Sequence, residues 1–160
     1  MPSLPSSVLV FIPAPFPFFH ENRIVLRRLK KLIGLSSLPS GHLDQGDLGR
    51  LGEDYACEYL LRNNYAILKR NYWCSFGEID IIAREQDTVV FVEVKSQYSH
   101  VAIPPERKVN KRKQRKLLAL SRFYRLKNLS PDTPCRIDVV TVKITPDNKP
   151  SDIIHYKRIV

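Results

Sequence analysis

Two strand patterns separated by two residues constrain this chain more than anything else in it. They are GEIDIIARE at Gly77–Glu85 and TVVFVEVK at residues 88–95, with Gln86-Asp87 between them. β-Branched and aromatic residues fill both runs, and the polar pair reads as a tight hairpin turn. A two-residue turn pairs residues equidistant from it, which sets Asp80 directly opposite Glu93, with Cβ atoms about 4.5–5.5 Å apart. By the period of two, Phe91, Glu93 and Lys95 share one face of the second strand, and Val90, Val92 and Val94 take the other. Glu78, Asp80 and Ile82 share a face of the first strand in the same way. A slip of one residue would undo the arrangement.

Two acids facing each other in an apolar hairpin repel unless something compensates. A divalent cation is the natural compensator, and Mg²⁺ (or Mn²⁺) suits one or two carboxylates while keeping waters and taking phosphate oxygens. Lys95, two residues past Glu93 on the same face, is then placed to orient an attacking water or to stabilise charge on a phosphorane. An E-x-K triplet alone carries little weight, because an exposed ion pair on a half-solvated strand looks the same. Apolar neighbours on both faces and the opposed Asp80 make the pattern specific, since charges are rarely left inside without a partner or a role.

Around the hairpin the chain alternates helix and strand patterns. Turn formers in LPSGHLDQG, residues 38–46, mark a domain boundary. Asp47 is the expected N-cap of a helix to about Arg62, with Leu48, Leu51, Tyr55, Tyr59 and Leu60 as its apolar stripe and Asn63-Asn64 as its end. A strand is expected at residues 66–71, a basic helix at about 106–128 after Pro104-Pro105, and late strands at about 135–143 and 152–158. The expected fold class is α/β, a central mixed β-sheet flanked by helices, in one domain over residues 46–160. Residues 1–45 read as a poorly structured extension, with room for a basic amphipathic helix near residues 22–33; a start codon downstream of this segment is the other reading. Its apolar run VLVFIPAPFPFF is cut by Pro13, Pro15 and Pro17 and is shorter than the roughly 20 residues of a membrane span. Its cations follow the apolar run, whereas a secretory signal carries them first. No transmembrane segment is therefore expected.

Charge sets the class of partner. Twenty-six Lys and Arg against sixteen Asp and Glu give a formal net charge of +10 over 160 residues, which points to a polyanion, either nucleic acid or an anionic membrane surface. From Arg107 to Lys127 the basic helix carries no acid, whereas a merely solvated face usually mixes both signs. Leu117, Leu118, Leu120 and Tyr124 form its apolar arc, and Lys108, Lys111, Arg112, Arg115 and Lys116 are candidate phosphate contacts. Gln114 falls inside that arc facing the sheet, either at the edge of a site beside Lys95 or as a core amide satisfied by backbone. Cys57, Cys74 and Cys135 form no C-x-x-C pair, which argues against a zinc cluster and for a reducing cytoplasm.

Asp80…Glu93-Val94-Lys95 resembles the PD-(D/E)-X-K nuclease signature, with Ile79 in place of its proline. The wider string resembles the YraN family of bacterial proteins, over roughly residues 47–158: Gly52-Glu53, then FGEIDIIAR, FVEVK and the basic helix before CRIDVV. That resemblance implies a restriction-endonuclease-like fold similar to archaeal Holliday junction resolvases. It implies Asp80 and Glu93 as metal ligands, Lys95 as the catalytic lysine and Glu53 as the helix acid that joins the metal site; the place of Gln114 also matches a polar helix residue of related nucleases. Glu53 sits at the border of the apolar arc, where a glutamate is as often simply solvated. Glu78 is an extra metal or supporting group, or a solvated acid; Asp138 in CRIDVV, without a partner in the pattern, reads as structural. The expected activity is Mg²⁺-dependent hydrolysis of DNA phosphodiesters, selective for branched DNA if a two-fold homodimer places two sites. Its rival is a nucleic-acid-binding protein that keeps the nuclease fold without catalysis.

Overall fold

The structure, a computed structural model, describes residues 42–101 and 111–159. The extension before His42, the Pro104-Pro105 loop, the start of the basic helix and Lys108 lie outside the described residues. Within them the order is α1 (Gln45–Arg62), β1 (Ala66–Cys74), β2 (Gly77–Glu85), β3 (Thr88–Tyr98), α2 (Lys111–Asn128), β4 (Cys135–Ile144) and β5 (Pro150–Tyr156). The five strands form one mixed sheet in the order β1-β2-β3-β4-β5, antiparallel except for the parallel pair β3–β4. A parallel pair needs a long crossover, and α2 lies within it.

The helices cover opposite faces of the sheet. Beneath α1, Leu51, Tyr55, Ala56 and Leu60 pack on Ile81, Ala83, Val90, Val92, Val94, Val140 and Val142. Beneath α2, Leu117 and Leu120 pack on Ile79, Ile82, Val89, Phe91 and Ile137. With both faces covered, β3 reads as a near-continuous apolar run, and this is why an acid within it matters. The alternation expected for β3 holds, as does the turn: Glu85 pairs with Thr88, and Gln86 takes a positive φ of 52°.

Several boundaries differ from expectation; β5, expected at about residues 152–158, runs from Pro150 to Tyr156. The cap of α1 is Asp44, whose carboxylate accepts from the Asp47 N–H at 2.8 Å. Asp47 instead occupies the first turn, where a negative charge also suits the helix dipole. Two aspartates three residues apart both look like caps; Leu43, tied by its N–H to the Tyr98 hydroxyl at 2.7 Å, selects the earlier one. Strands β1 and β3 run longer than their apolar patterns, because β1 continues through the polar Asn71 to the hairpin at Ser75 and β3 continues alongside β4 to Tyr98.

Candidate active site

The hairpin ladder between β2 and β3 runs from Glu85↔Thr88 to Ile81↔Val92 and stops there. Asp80 is therefore the first residue beyond the pairing, not a ladder partner of Glu93 as the turn arithmetic implied. Its carboxylate turns inward and accepts the backbone N–H of Val94 at 2.7 Å. Across β1, Tyr72↔Ile79 and Arg70↔Ile81 bracket Asn71 and Asp80, and Asn71 holds a positive φ of 48°. The face alternation resets at this point: Ile81 packs under α1, whereas Ile79 and Tyr72 pack under α2. Asparagine is among the few non-glycine residues that adopt this conformation readily. A local kink in two adjacent strands thus frees Asp80 from the ladder.

Glu93 stays within the sheet, paired with Val139 of β4, and only 2% exposed. Its Oε1 receives Lys95 Nζ at 2.6 Å and Lys113 Nζ, from α2, at 2.9 Å. Its Oε2 is buried without a hydrogen-bond partner. Burial first, and then the charge of Glu93, push the Asp80 carboxyl up to about 7, against the opposing pull of the Val94 N–H and of Lys113. An oxygen of this kind is costly to bury unpaired, and the acid beside it resists ionisation for the same reason.

Glu53 reaches this neighbourhood because α1 seats closely on β3. A Cβ at Gly52 would lie 2.7 Å from Ser96 Oγ, one residue beyond Lys95, so the close approach requires a glycine. Burial raises the Glu53 carboxyl; Asn71 and Arg70 oppose this, and Glu78 and Asp54 reinforce it. Asn71 Nδ2 donates to Glu53 Oε2 at 2.7 Å. Glu53 acts on the charge state of Asp80, yet no three acids among the described residues converge closely enough to hold a metal ion by themselves. Asp80 and Glu93 interact as a pair of acids, and Glu53, bonded by Asn71, also acts on Asp80.

Lys111, Arg112, Arg115 and Lys116 are exposed on α2, while Lys113 and Gln114 are half-buried. Lys113 and Asn71 are the two residues of this neighbourhood that sequence reasoning missed. Lys113 was hidden in a run of cations, and the signal for Asn71 was only an asparagine in mid-strand, which suits a positive φ. Asp138 is fully buried and well partnered.

This is an α/β domain whose sheet opens around an underpartnered acid pair with two lysines on it. The chain belongs to the uncharacterised protein family UPF0102, the YraN family, whose model matches residues 52–142. A UPF0102 protein of Syntrophus aciditrophicus is 46% identical over 62% of this chain and 78% of its own length. One of Geotalea uraniireducens is 40% identical over 71% and 89%, and one of Persephonella marina 42% identical over 59% and 81%. No helix among the described residues is long and apolar enough to cross a membrane.

Proposed function

We propose that this domain is a restriction-endonuclease-like, metal-dependent nuclease that hydrolyses DNA phosphodiester bonds. The observation that carries the reading is the acid pair: Glu93 Oε2 is buried with no partner, and Asp80 beside it is held up at about 7. A divalent cation would satisfy the one oxygen and favour ionisation of the other acid, and hard carboxylate oxygens are the donors Mg²⁺ or Mn²⁺ takes. Asp80 and Glu93 would hold the ion, with Glu53 steered toward it by Asn71. When bound, the ion supplies polarisation of the phosphate and a water of lowered pKa.

The chain's own residues do the rest. Lys95, on Glu93 at its inner end and 42% exposed, can present its ammonium to a water or to a phosphate oxygen without leaving the site. Lys113 keeps a second positive charge on the same carboxylate. Gln114 follows Lys113 on α2, close enough in chain to serve as an amide at the rim. Lys111, Arg112, Arg115 and Lys116 present positive charge outward from the same helix, where phosphate contacts set position and salt dependence. The three free cysteines suit a reducing cytoplasm.

A second reading has its own support. Lys95 and Lys113 already neutralise Glu93 at Oε1, so the domain could bind nucleic acid with no metal at all. A panel of linear, single-stranded and branched DNA with Mg²⁺ or Mn²⁺ separates the two. Cleavage lost in Asp80→Ala and Glu93→Ala is the expected outcome; cleavage that survives both substitutions sinks the assignment. Calorimetric titration showing no Mn²⁺ binding with DNA affinity intact supports the binding-only reading.

A further inference from the structure

The β1–β2 hairpin ends in an apolar tip that stays largely open to solvent. Trp73 is 74% exposed and Phe76 51% exposed. Tryptophan is normally well covered, so its indole standing in water on a strand end calls for a partner. The tip is also tied to the basic helix. Gly77 has a φ of 122°, and a Cβ there would lie 2.6 Å from Lys116 Nζ, so the lysine lies directly over the turn. Phe76 meets the Phe123 ring edge-on at 5.4 Å, and Lys127 Nζ stands 4.5 Å above that ring.

Trp73 stands between Tyr72 and Cys74, which both pack under α2, so by the period of two its indole lies on the opposite face of β1. Trp73 pairs with Glu78 across the hairpin, and Glu78 acts on the charge of Glu53. Asp80 lies two residues along the strand from Glu78, about 7 Å away. One exposed indole therefore sits opposite Glu78, two residues along β2 from Asp80, with the cations of α2 on the other face of the same hairpin.

The geometry points to the Trp73 tip as a stacking platform for unpaired bases, which makes the substrate class nucleic acid with single-stranded segments. This rests on the nuclease reading for its polyanion, and deepens it. An indole face needs a base face, and a base face is offered only where the strand is unpaired; a closed duplex shows the protein base edges and phosphates. Lys116, over the Gly77 turn, and Lys127, over the Phe123 ring, offer positive charge to the phosphates of a strand that passes the tip.

Trp73 is the chain's one tryptophan, so its emission reports this tip and nothing else. The test uses the full chain carrying Glu93→Gln, in EDTA, so that nothing depends on cleavage. Titration with short oligothymidylate is expected to quench and shift the emission; a blunt duplex at equal phosphate concentration is expected to leave it unchanged. Affinity measured by labelled-DNA anisotropy is expected to fall about tenfold for oligothymidylate in Trp73→Ala. Trp73→Phe is expected to restore it, and duplex affinity is expected to hold in both. Emission that responds to duplex and single strand alike overturns the platform, as does an emission change with protein concentration alone, which marks the tip as a contact between two copies of the chain. Quenching in a protein whose wild type cuts no DNA leaves the platform standing and the nuclease reading lost; cutting without quenching does the reverse.

Discussion

Two carboxylates buried in the same sheet, on neighbouring strands, have opposite surroundings. Asp138 of β4 lies beside Val92 of β3, one residue from Glu93, on the face that α1 covers. Both its oxygens are engaged: Oδ1 accepts from Arg136 Nε at 3.0 Å and from the Arg158 N–H at 2.9 Å, and Oδ2 lies 2.9 Å from His155 Nε2. Arg136 continues to Glu85 at 2.7 Å and to the Tyr65 hydroxyl at 2.9 Å, and Lys157 closes on Glu85 at 2.8 Å. Glu93, facing α2, has two ammonium groups on one oxygen and nothing on the other. A buried acid with every lone pair directed at a donor is a joint of the fold; one left half-satisfied beside a second acid is a candidate functional centre.

The largest expected effect breaks the closed centre. Asp138→Ala takes the acceptor from Arg136 Nε, from the Arg158 N–H and from the buried His155, and is expected to cost about 3–5 kcal/mol in urea unfolding. A loss under 1 kcal/mol would remove the distinction between the two centres. Asp80→Asn should go the other way. The amide oxygen still accepts from Val94, the like-charge repulsion is gone, and a gain of about 0.5–2 kcal/mol is expected above pH 7 without metal. The same variant is expected to lose metal-dependent cleavage. A destabilised Asp80→Asn would show that Asp80 holds the fold, and that the open centre is not open.

Acidity separates the centres by sign. In metal-free solution the folded chain keeps the proton on Asp80 up to about 7, whereas the unfolded chain releases it near 3.8. Between those values folding takes up a proton, so the contribution of Asp80 to stability falls as pH rises, and the advantage of Asp80→Asn over wild type widens across that window. Glu85 does the opposite. Burial pushes its carboxyl up, but hydrogen bonds from Lys157, Tyr65 and Arg136 prevail and bring it down to about 2. The stability it contributes is full above its ordinary 4.5 and is lost as pH falls toward 2. Urea midpoints of wild type, Asp80→Asn and Glu85→Gln across this range give both slopes; parallel profiles for the two variants would refute the contrast.

How far each centre could be read from the chain follows the same division. The hairpin was legible because a two-residue turn and a period of two are local, and they placed Glu93, Lys95 and the valine face correctly. The splay at Asp80 was not, because it depends on Asn71, nine residues earlier and on another strand. The closed centre was read only as a structural aspartate: Arg136 is a local neighbour two residues away, but His155 and Arg158 arrive through the β4–β5 pairing, which no local pattern announces. Lys113 was invisible for a different reason: it is one cation among several, and only the seating of α2 turns it to Glu93.

Lys113 gives the smallest effect and the finest cut. Its ammonium is one-third exposed, so water and salt screen it, and its pairing with Glu93 is worth well under the value of a buried bond, about 0.2–1 kcal/mol. A cation entering between Asp80 and Glu93 must share Glu93 with it. Removing the charge in Lys113→Met is therefore expected to tighten Mn²⁺ binding by about two- to fivefold, read by calorimetry at pH 8 and low salt, with the difference fading as salt rises. Lys95→Met, on the same oxygen, is expected to tighten binding as well, but to abolish cleavage, whereas Lys113→Met is expected to retain part of it. Mn²⁺ affinity unmoved by both substitutions would mean that the ion does not use Glu93, and the open carboxylate would need another occupant.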